Sequence, residues 1–265
     1  MKYSYPGKIE ALKGVDLHIR SGDYVAIVGG NGSGKTTLAK TLNGLLRPSH
    51  GSVIISGQPI EKMRLASIAK YVGYAFQNPD HQLFCSTVDE EVEFGPRNLG
   101  YEEKEIKERT GHAISIMGLD EVRDEAPLSL TLGLRRRVSI ASVIAMDPRV
   151  MIFDEPTTGL DAKEIENLMD NIALLNEEGH TLILITHDMK LVARHSRRVI
   201  VMANGRVVLD SDPRGVFSNL DLLRESSLEP PPVTLLAHKL SDFGVRRDAI
   251  SPDELVRSVM SKGAR

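Results

Sequence analysis

Gly29-Gly30-Asn31-Gly32-Ser33-Gly34-Lys35-Thr36 satisfies the pattern G-x-x-x-x-G-K-[ST]. An apolar run, Tyr24 to Val28, leads into it, and a helical pattern that reaches Leu46 and stops at Pro48 leads out. Strand before and helix after are the context in which such a loop cradles phosphate. Its glycines let successive backbone N–H groups turn toward one anion, and the positive end of the following helix adds to their pull. In that arrangement Lys35 would bridge the β- and γ-phosphates of a nucleotide, and the Thr36 hydroxyl would ligate Mg²⁺. The alternative is a flexible glycine-rich turn. A chance match in a chain of this size is roughly a one-in-a-hundred event, and fewer such matches sit between a strand and a helix, so phosphate binding is the better reading.

Working outward, short apolar runs alternate with longer helical patterns. The runs are Tyr24 to Val28, Val53 to Ile55, Tyr71 to Phe76, Val150 to Phe153, Thr181 to Ile185, Arg198 to Met202 and Arg206 to Leu209. The alternation predicts an α/β domain with a largely parallel sheet. Three runs end in polar residues at the carboxyl end of a strand: Val28 into the glycine loop, Phe153 into Asp154-Glu155, and Ile185 into Thr186-His187. Ligands bind at that edge of open α/β sheets. Neighbouring side chains at a strand end point in different directions, so one carboxylate can face Mg²⁺ and the other a water. Asp154 is assigned to the metal and Glu155 to the general base, with a solvated acidic turn as the alternative.

From residue 78 to 149 the strand signal fades and helical patterns such as Val88 to Phe94 and Glu102 to Met117 take over, which predicts a helical insertion. After residue 209 the composition changes, and Glu229-Pro230-Pro231-Pro232 breaks any helix before a mixed segment. The expected division is therefore 1–209 for the main domain and 210–265 for a carboxyl-terminal appendage.

Composition narrows the function. Lysine and arginine number 33 against 36 aspartate and glutamate, a formal net charge of −3, so no positive field gathers nucleic acid. The single cysteine, Cys85, rules out an intramolecular disulfide framework and fits a reducing compartment. No apolar run approaches the ~20 residues of a spanning helix. The start, Met1 to Pro6, has no apolar segment of the secretory kind, which predicts a cytoplasmic protein.

The glycine loop, Gln77, the series Asp154-Glu155-Pro156-Thr157-Thr158-Gly159-Leu160-Asp161, and Thr186-His187-Asp188 occur together in an order and spacing that resemble the nucleotide-binding subunits of ABC transporters. That resemblance covers nearly the whole chain. It implies a P-loop NTPase fold of the ABC ATPase kind: a RecA-like core sheet, an antiparallel β subdomain, an inserted helical subdomain and a small appendage that helps hold two ATPases together. It implies ATP and Mg²⁺ as ligands, with Gly29 to Thr37 around the phosphates. Gln77 would reach Mg²⁺ and the attacking water and sense a membrane partner, and His187 would hydrogen-bond the γ-phosphate. Asp161 would communicate across a dimer, with helix capping as its alternative. Tyr5, before Pro6-Gly7, matches the aromatic that stacks on adenine. Only four residues precede it, so most of the family's first strand is expected to be missing or that edge built differently, and a packing tyrosine is the alternative.

A narrower resemblance rests on Phe76-Gln77-Asn78-Pro79-Asp80-His81-Gln82-Leu83-Phe84, Val92-Glu93-Phe94-Gly95-Pro96 and Leu228-Glu229-Pro230-Pro231-Pro232-Val233. These are similar to the energy-coupling factor group of importers, which take up vitamins or transition-metal ions. It implies paired ATPases, a transmembrane coupling protein and a substrate-binding membrane protein, with this chain peripheral on the cytoplasmic face of the membrane. Gln82 would add to the nucleotide-sensing loop or be an ordinary exposed polar side chain. A soluble ABC-type ATPase or a non-hydrolysing nucleotide switch is the rival function.

The family's head-to-tail dimer clamps each ATP between one glycine loop and the partner's Leu-Ser-Gly-Gly-Gln signature. Here the aligned residues are Leu130-Thr131-Leu132-Gly133-Leu134. Thr131 keeps a hydroxyl and Gly133 a close-approach position. Leu132 adds bulk where backbone should approach phosphate, and Leu134 removes an amide. The resemblance thus implies an asymmetric heterodimer with a second ATPase whose signature is intact. Arg135-Arg136-Arg137 is expected to be a solvated helix face, with contact to phosphates or the partner as the alternative.

Overall fold

Five strands read as continuous apolar runs because helices cover both faces of the sheet they form. The computed structural model describes residues 1–7 and 9–263. In chain order the strands of the central sheet are β3 (Tyr24–Val28), β6 (Val72–Ala75), β7 (Val150–Asp154), β8 (Thr181–Ile185), β9 (Arg198–Ala203) and β10 (Arg206–Ser211); β1, β2, β4 and β5 lie outside it. Their order across the sheet is β10-β9-β3-β8-β7-β6. All neighbours are parallel except β10, which turns back on β9.

Alternation along each strand sorts side chains between the faces. Val25, Ile27, Ile152, Ile183, Ile185, Ile200 and Met202 enter one core with Leu38 and Ala39 of α1 (Lys35–Leu42). Met151, Phe153, Leu182 and Leu184 enter a second core beneath α5 (Leu132–Ala145) and α6 (Ala162–Glu177). Ala26, Val28, Val199 and Val201 enter a third with α7 (Met189–His195), α8 (Pro213–Phe217) and α9 (Leu220–Glu225).

The helical insertion consists of α3 (Val88–Asn98) and α4 (Glu103–Met117) packed on α5, which in turn packs on β6 and β7. Thr87 caps α3 by accepting from the Glu90 N–H, and three acidic residues occupy its first turn, where the helix dipole favours them. The small α2 (Leu65–Ala69) leads into β6.

The antiparallel β region consists of two ribbons. One is β1 (Lys2–Tyr5) paired with β2 (Ile9–Lys13); the other is β4 (Ile54–Ile55) paired with β5 (Gln58–Pro59). A single bridge between Lys2 and His50 links the first ribbon to the segment before the second. Tyr5 ends the four-residue strand β1, which pairs with β2 along its length and meets the His50 segment through Lys2.

The expected boundary at 209/210 falls inside β10. Val216, Phe217, Leu223 and Leu228 pack with the sheet, whereas Ala237, Val245, Ala249 and Leu255 form a separate small core between α10 (Pro232–Lys239) and α11 (Pro252–Gly263). We place the division at residues 229–231, where the prolines stop the chain from continuing either unit.

Candidate nucleotide site

At the carboxyl ends of β3, β7 and β8 the chain presents a lysine, two acids and a histidine. Gly34 adopts φ 104° before α1, and no side chain caps that helix, so its first N–H groups are left for an anion. Gly29 is fixed by close approach: at φ 155° a Cβ would collide with the Met202 carbonyl and stand 2.6 Å from Ser33 Oγ. The loop is braced from outside by two main-chain bonds. The Gly205 N–H donates to Ser33 O at 3.0 Å, and the Gly30 N–H donates to Ser226 O at 3.0 Å.

The Lys35 ammonium donates to Gly29 O at 2.7 Å and Gly30 O at 3.0 Å, within reach of Ser33 Oγ. Burial lowers its pKa below the ordinary lysine value, and Glu155 and Asp154 oppose that shift. A lysine ammonium held by the loop's own carbonyls stands ready for charge-assisted bonds to phosphate oxygens.

Asp154 ends β7 and is 2% exposed. One oxygen, Oδ2, accepts from the Tyr74 hydroxyl at 2.6 Å, while Oδ1 is buried with no hydrogen-bond partner. Burial, followed by Asp154, pushes the Tyr74 phenol far above its usual range, so it stays a donor. A buried carboxylate oxygen left without a partner is costly unless a cation or water meets it, so the donor set fits Mg²⁺. Among the described residues no cluster of three His, Cys, Asp or Glu side chains could hold a metal. A cation at Asp154 would therefore depend on Thr36, Gln77, phosphate oxygens and water for the rest of its shell.

Glu155 is 8% exposed and sits at φ 50°, a left-handed conformation that costs a non-glycine residue about 1 kcal/mol or more. Its N–H donates to Ile185 O at 2.8 Å, which holds the strained residue beside β8. The turn aims the carboxylate at His187, whose Nδ1 donates to Oε1 at 2.7 Å; Thr186 Oγ1 lies 3.5 Å from Oε2. With Nδ1–H committed to Glu155, Nε2 of the mostly exposed imidazole is free to meet a ligand. Gln77 lies exposed just beyond β6. Tyr5 projects over α1, its hydroxyl 3.2 Å from Thr37 Oγ1 and its ring edge-on to Tyr3 at 4.9 Å, so it also packs locally.

The ABC transporter family model matches residues 12–158. The chain belongs to the ABC transporter family. It is 44% identical to the energy-coupling factor transporter ATP-binding protein EcfA2 of Clostridium perfringens over 88% of this chain and 84% of that protein. It is 45% identical to an ABC transporter ATP-binding protein of Caldanaerobacter subterraneus, covering 91% of this chain but only 42% of that longer relative. The solved structure of cbiO1 from Clostridium perfringens, described as part of the ABC transporter complex cbiONQ, superposes with TM-score 0.76 at 35% identity over 92% of this chain and 95% of that one. The α/β fold, the ATPase class and the likeness to energy-coupling factor ATP-binding subunits follow from these matches.

The segment expected to align with the signature, Leu130 to Leu134, leads into the first turn of α5. Thr131 is the N-cap, its hydroxyl accepting from the Leu134 N–H at 3.4 Å. Leu132 is 38% exposed and lies over Gly159, where a Cβ would stand 2.6 Å from its Cδ2. At Gly133 a Cβ would collide with Glu164, so the close approach made there is to this chain's own α6. Asp161 caps α6 in a reciprocal capping box with Glu164, which is the capping role weighed for it.

Two sequence expectations need correction. Gln82 is not an ordinary exposed side chain. Its Oε1 accepts from Phe76 N at 3.3 Å, and its Nε2 donates to Ser139 O at 2.7 Å and Ser142 Oγ at 2.8 Å, spending the amide on bracing. The arginine triplet is not a solvated face. Arg135 pairs with Asp80 at 2.8 Å, and Arg136 is 3% exposed, with carbonyl partners at Phe76, Gln77 and Thr158. Tyr74 and Arg136 are the residues whose place in the site the sequence did not reveal. Each meets a partner about 60–80 positions away, which leaves no local pattern.

Proposed function

We propose that this ATPase energises an importer of the energy-coupling factor type as one half of an unequal ATPase pair. The observation that carries the reading is the contrast between its two nucleotide-facing edges. The glycine loop edge holds Lys35, Asp154, Glu155 and His187 in mutual register, while the signature edge offers a capped, apolar turn at Leu132 and Leu134.

ATP would lie with its phosphates against Gly29 to Thr37, and Tyr5 would stack on the adenine. Lys35 neutralises charge on the β- and γ-phosphates. Thr36, Asp154 and Gln77 would hold Mg²⁺, which when bound supplies charge neutralisation between phosphate oxygens. Glu155 takes the proton of the attacking water as general base. His187, oriented by its Nδ1–H bond to Glu155, presents Nε2 to the γ-phosphate. The partner's intact signature completes this site, whereas Thr131, Gly133 and Asp161 serve the opposite site poorly. Closure of the pair would move the insertion and the Gln77 loop against a transmembrane coupling protein, with a substrate-binding membrane protein choosing the vitamin or transition-metal ion. Among the described residues no helix is long and apolar enough to cross a membrane; in this reading the partners span it and the chain sits peripherally at the cytoplasmic face, which its likeness to energy-coupling factor ATP-binding proteins supports.

The test is to purify the chain alone and with its co-purifying subunits and to compare ATP turnover. The expected result is slow, non-cooperative hydrolysis alone and rapid hydrolysis once a second ATPase and membrane subunits are present. Full cooperative turnover by the isolated chain overturns the unequal pair.

A further inference from the structure

Arg136 is the only member of its triplet that turns wholly inward. Among the described residues it has no carboxylate within ion-pair distance, and its Nε has no hydrogen-bond partner. Its acceptors are main-chain carbonyls in two separate loops. One terminal nitrogen donates to Phe76 O at 3.2 Å and to Gln77 O; the other donates to Thr158 O at 3.3 Å. A buried guanidinium in this setting is expensive, and an apolar side chain would fill the space at less cost. What the apolar side chain could not do is span the two loops.

Both loops carry groups that face the reacting water. Gln77 is itself one of the carbonyl partners, and Thr158 lies three residues past Glu155, its N–H donating back to Glu155 O at 3.3 Å. Gln82 adds a second tie, taking the Phe76 N–H and returning two bonds to α5. Phe76 is thus held to α5 through both its N–H and its carbonyl, and Arg136 extends the hydrogen-bonded tie to the Thr158 loop. Burial lowers the guanidinium's pKa below its ordinary range, opposed chiefly by Asp154, then Asp80 and Glu155, so its charge faces the acids of the site.

We propose that Arg136 is a positioning residue that fastens the Gln77 loop and the loop after Glu155 to α5, so that a displacement of the helical insertion reaches both as one movement. This rests on the reading of Gln77 and Glu155 as the water-facing groups.

The experiment compares Arg136→Gln, Arg136→Lys and Glu155→Gln in the assembled complex, measuring kcat, KM, the affinity for a fluorescent N-methylanthraniloyl ATP analogue, and Tm. Lysine keeps a positive charge but cannot span two loops from one nitrogen. For both Arg136 variants kcat is expected to fall about 10- to 100-fold, as for small displacements of reacting groups. KM and analogue affinity should stay within about 3-fold. Full activity in Arg136→Lys overturns the spanning role in favour of charge alone. Loss of the cooperative unfolding transition in both variants, or a parallel loss of analogue affinity, overturns it in favour of a purely structural role. Unchanged kinetics in both variants beside an inactive Glu155→Gln sinks the Arg136 proposal alone, whereas an active Glu155→Gln sinks the reading beneath it.

Discussion

The first turns of α1 and α5 present the same backbone chemistry, four N–H groups at the positive end of a helix, and the chain treats them in opposite ways. Before α1 stands Gly34 with no capping side chain, and a lysine and two acids are arranged around the opening. Before α5 stands Thr131, whose hydroxyl takes one N–H, and Leu132 covers the turn against Gly159. A helix end becomes an anion site when its donors are left unspent and its approach is lined with glycine. Capping the donors and adding branched carbon turns the same end into a structural joint.

Glu155→Gln should break the active side of this contrast most severely. Turnover of the assembled complex is expected to fall on the order of 10²- to 10⁴-fold with ATP binding retained, measured by phosphate release and nucleotide affinity. Residual turnover near the wild-type rate would assign the base elsewhere. Paired Leu132→Gly and Leu134→Gln substitutions should sharpen the other side by restoring the second site, raising steady-state turnover roughly two-fold as a second site joins the first. Unchanged turnover would show that the two edges are not functionally unequal for the reason given. The smallest effects fall on stability. Thr131→Ala and Asp161→Ala each remove a cap worth about 1 kcal/mol, which in a protein of this size lowers Tm by roughly 2–4 °C. Asp161→Asn preserves the cap geometry and should leave Tm near wild type, a result that calorimetry can check.

The sequence disclosed the parallel strands best. Tyr24–Val28 and Thr181–Ile185 coincide with their apolar runs because strands covered on both faces must be apolar at every position. The ribbons β1/β2 and β4/β5 were less legible, since they are short and largely exposed. Only Val53 to Ile55 hinted at them. The meeting of the glycine loop, Asp154, Glu155 and His187 at one edge of the sheet was readable because each stands at or just past the end of a strand. Tyr74 and Arg136 were hidden for the converse reason: Tyr74 looks like one more buried strand residue, and Arg136 looks like one arginine among three. The strain at Glu155 was equally invisible, because nothing in Asp-Glu-Pro marks a positive φ.

The bond from the Gly30 N–H to Ser226 O joins main chain to main chain. Changing the side chain at Ser226 leaves its acceptor in place, so a substitution scan there would pass over it, whereas a Cβ at Gly30 would stand 3.1 Å from the acceptor itself. Isotope exchange at the Gly30 amide would register it: protection there reports, at a single proton, whether the chain leading to the carboxyl-terminal helices is seated against the phosphate loop.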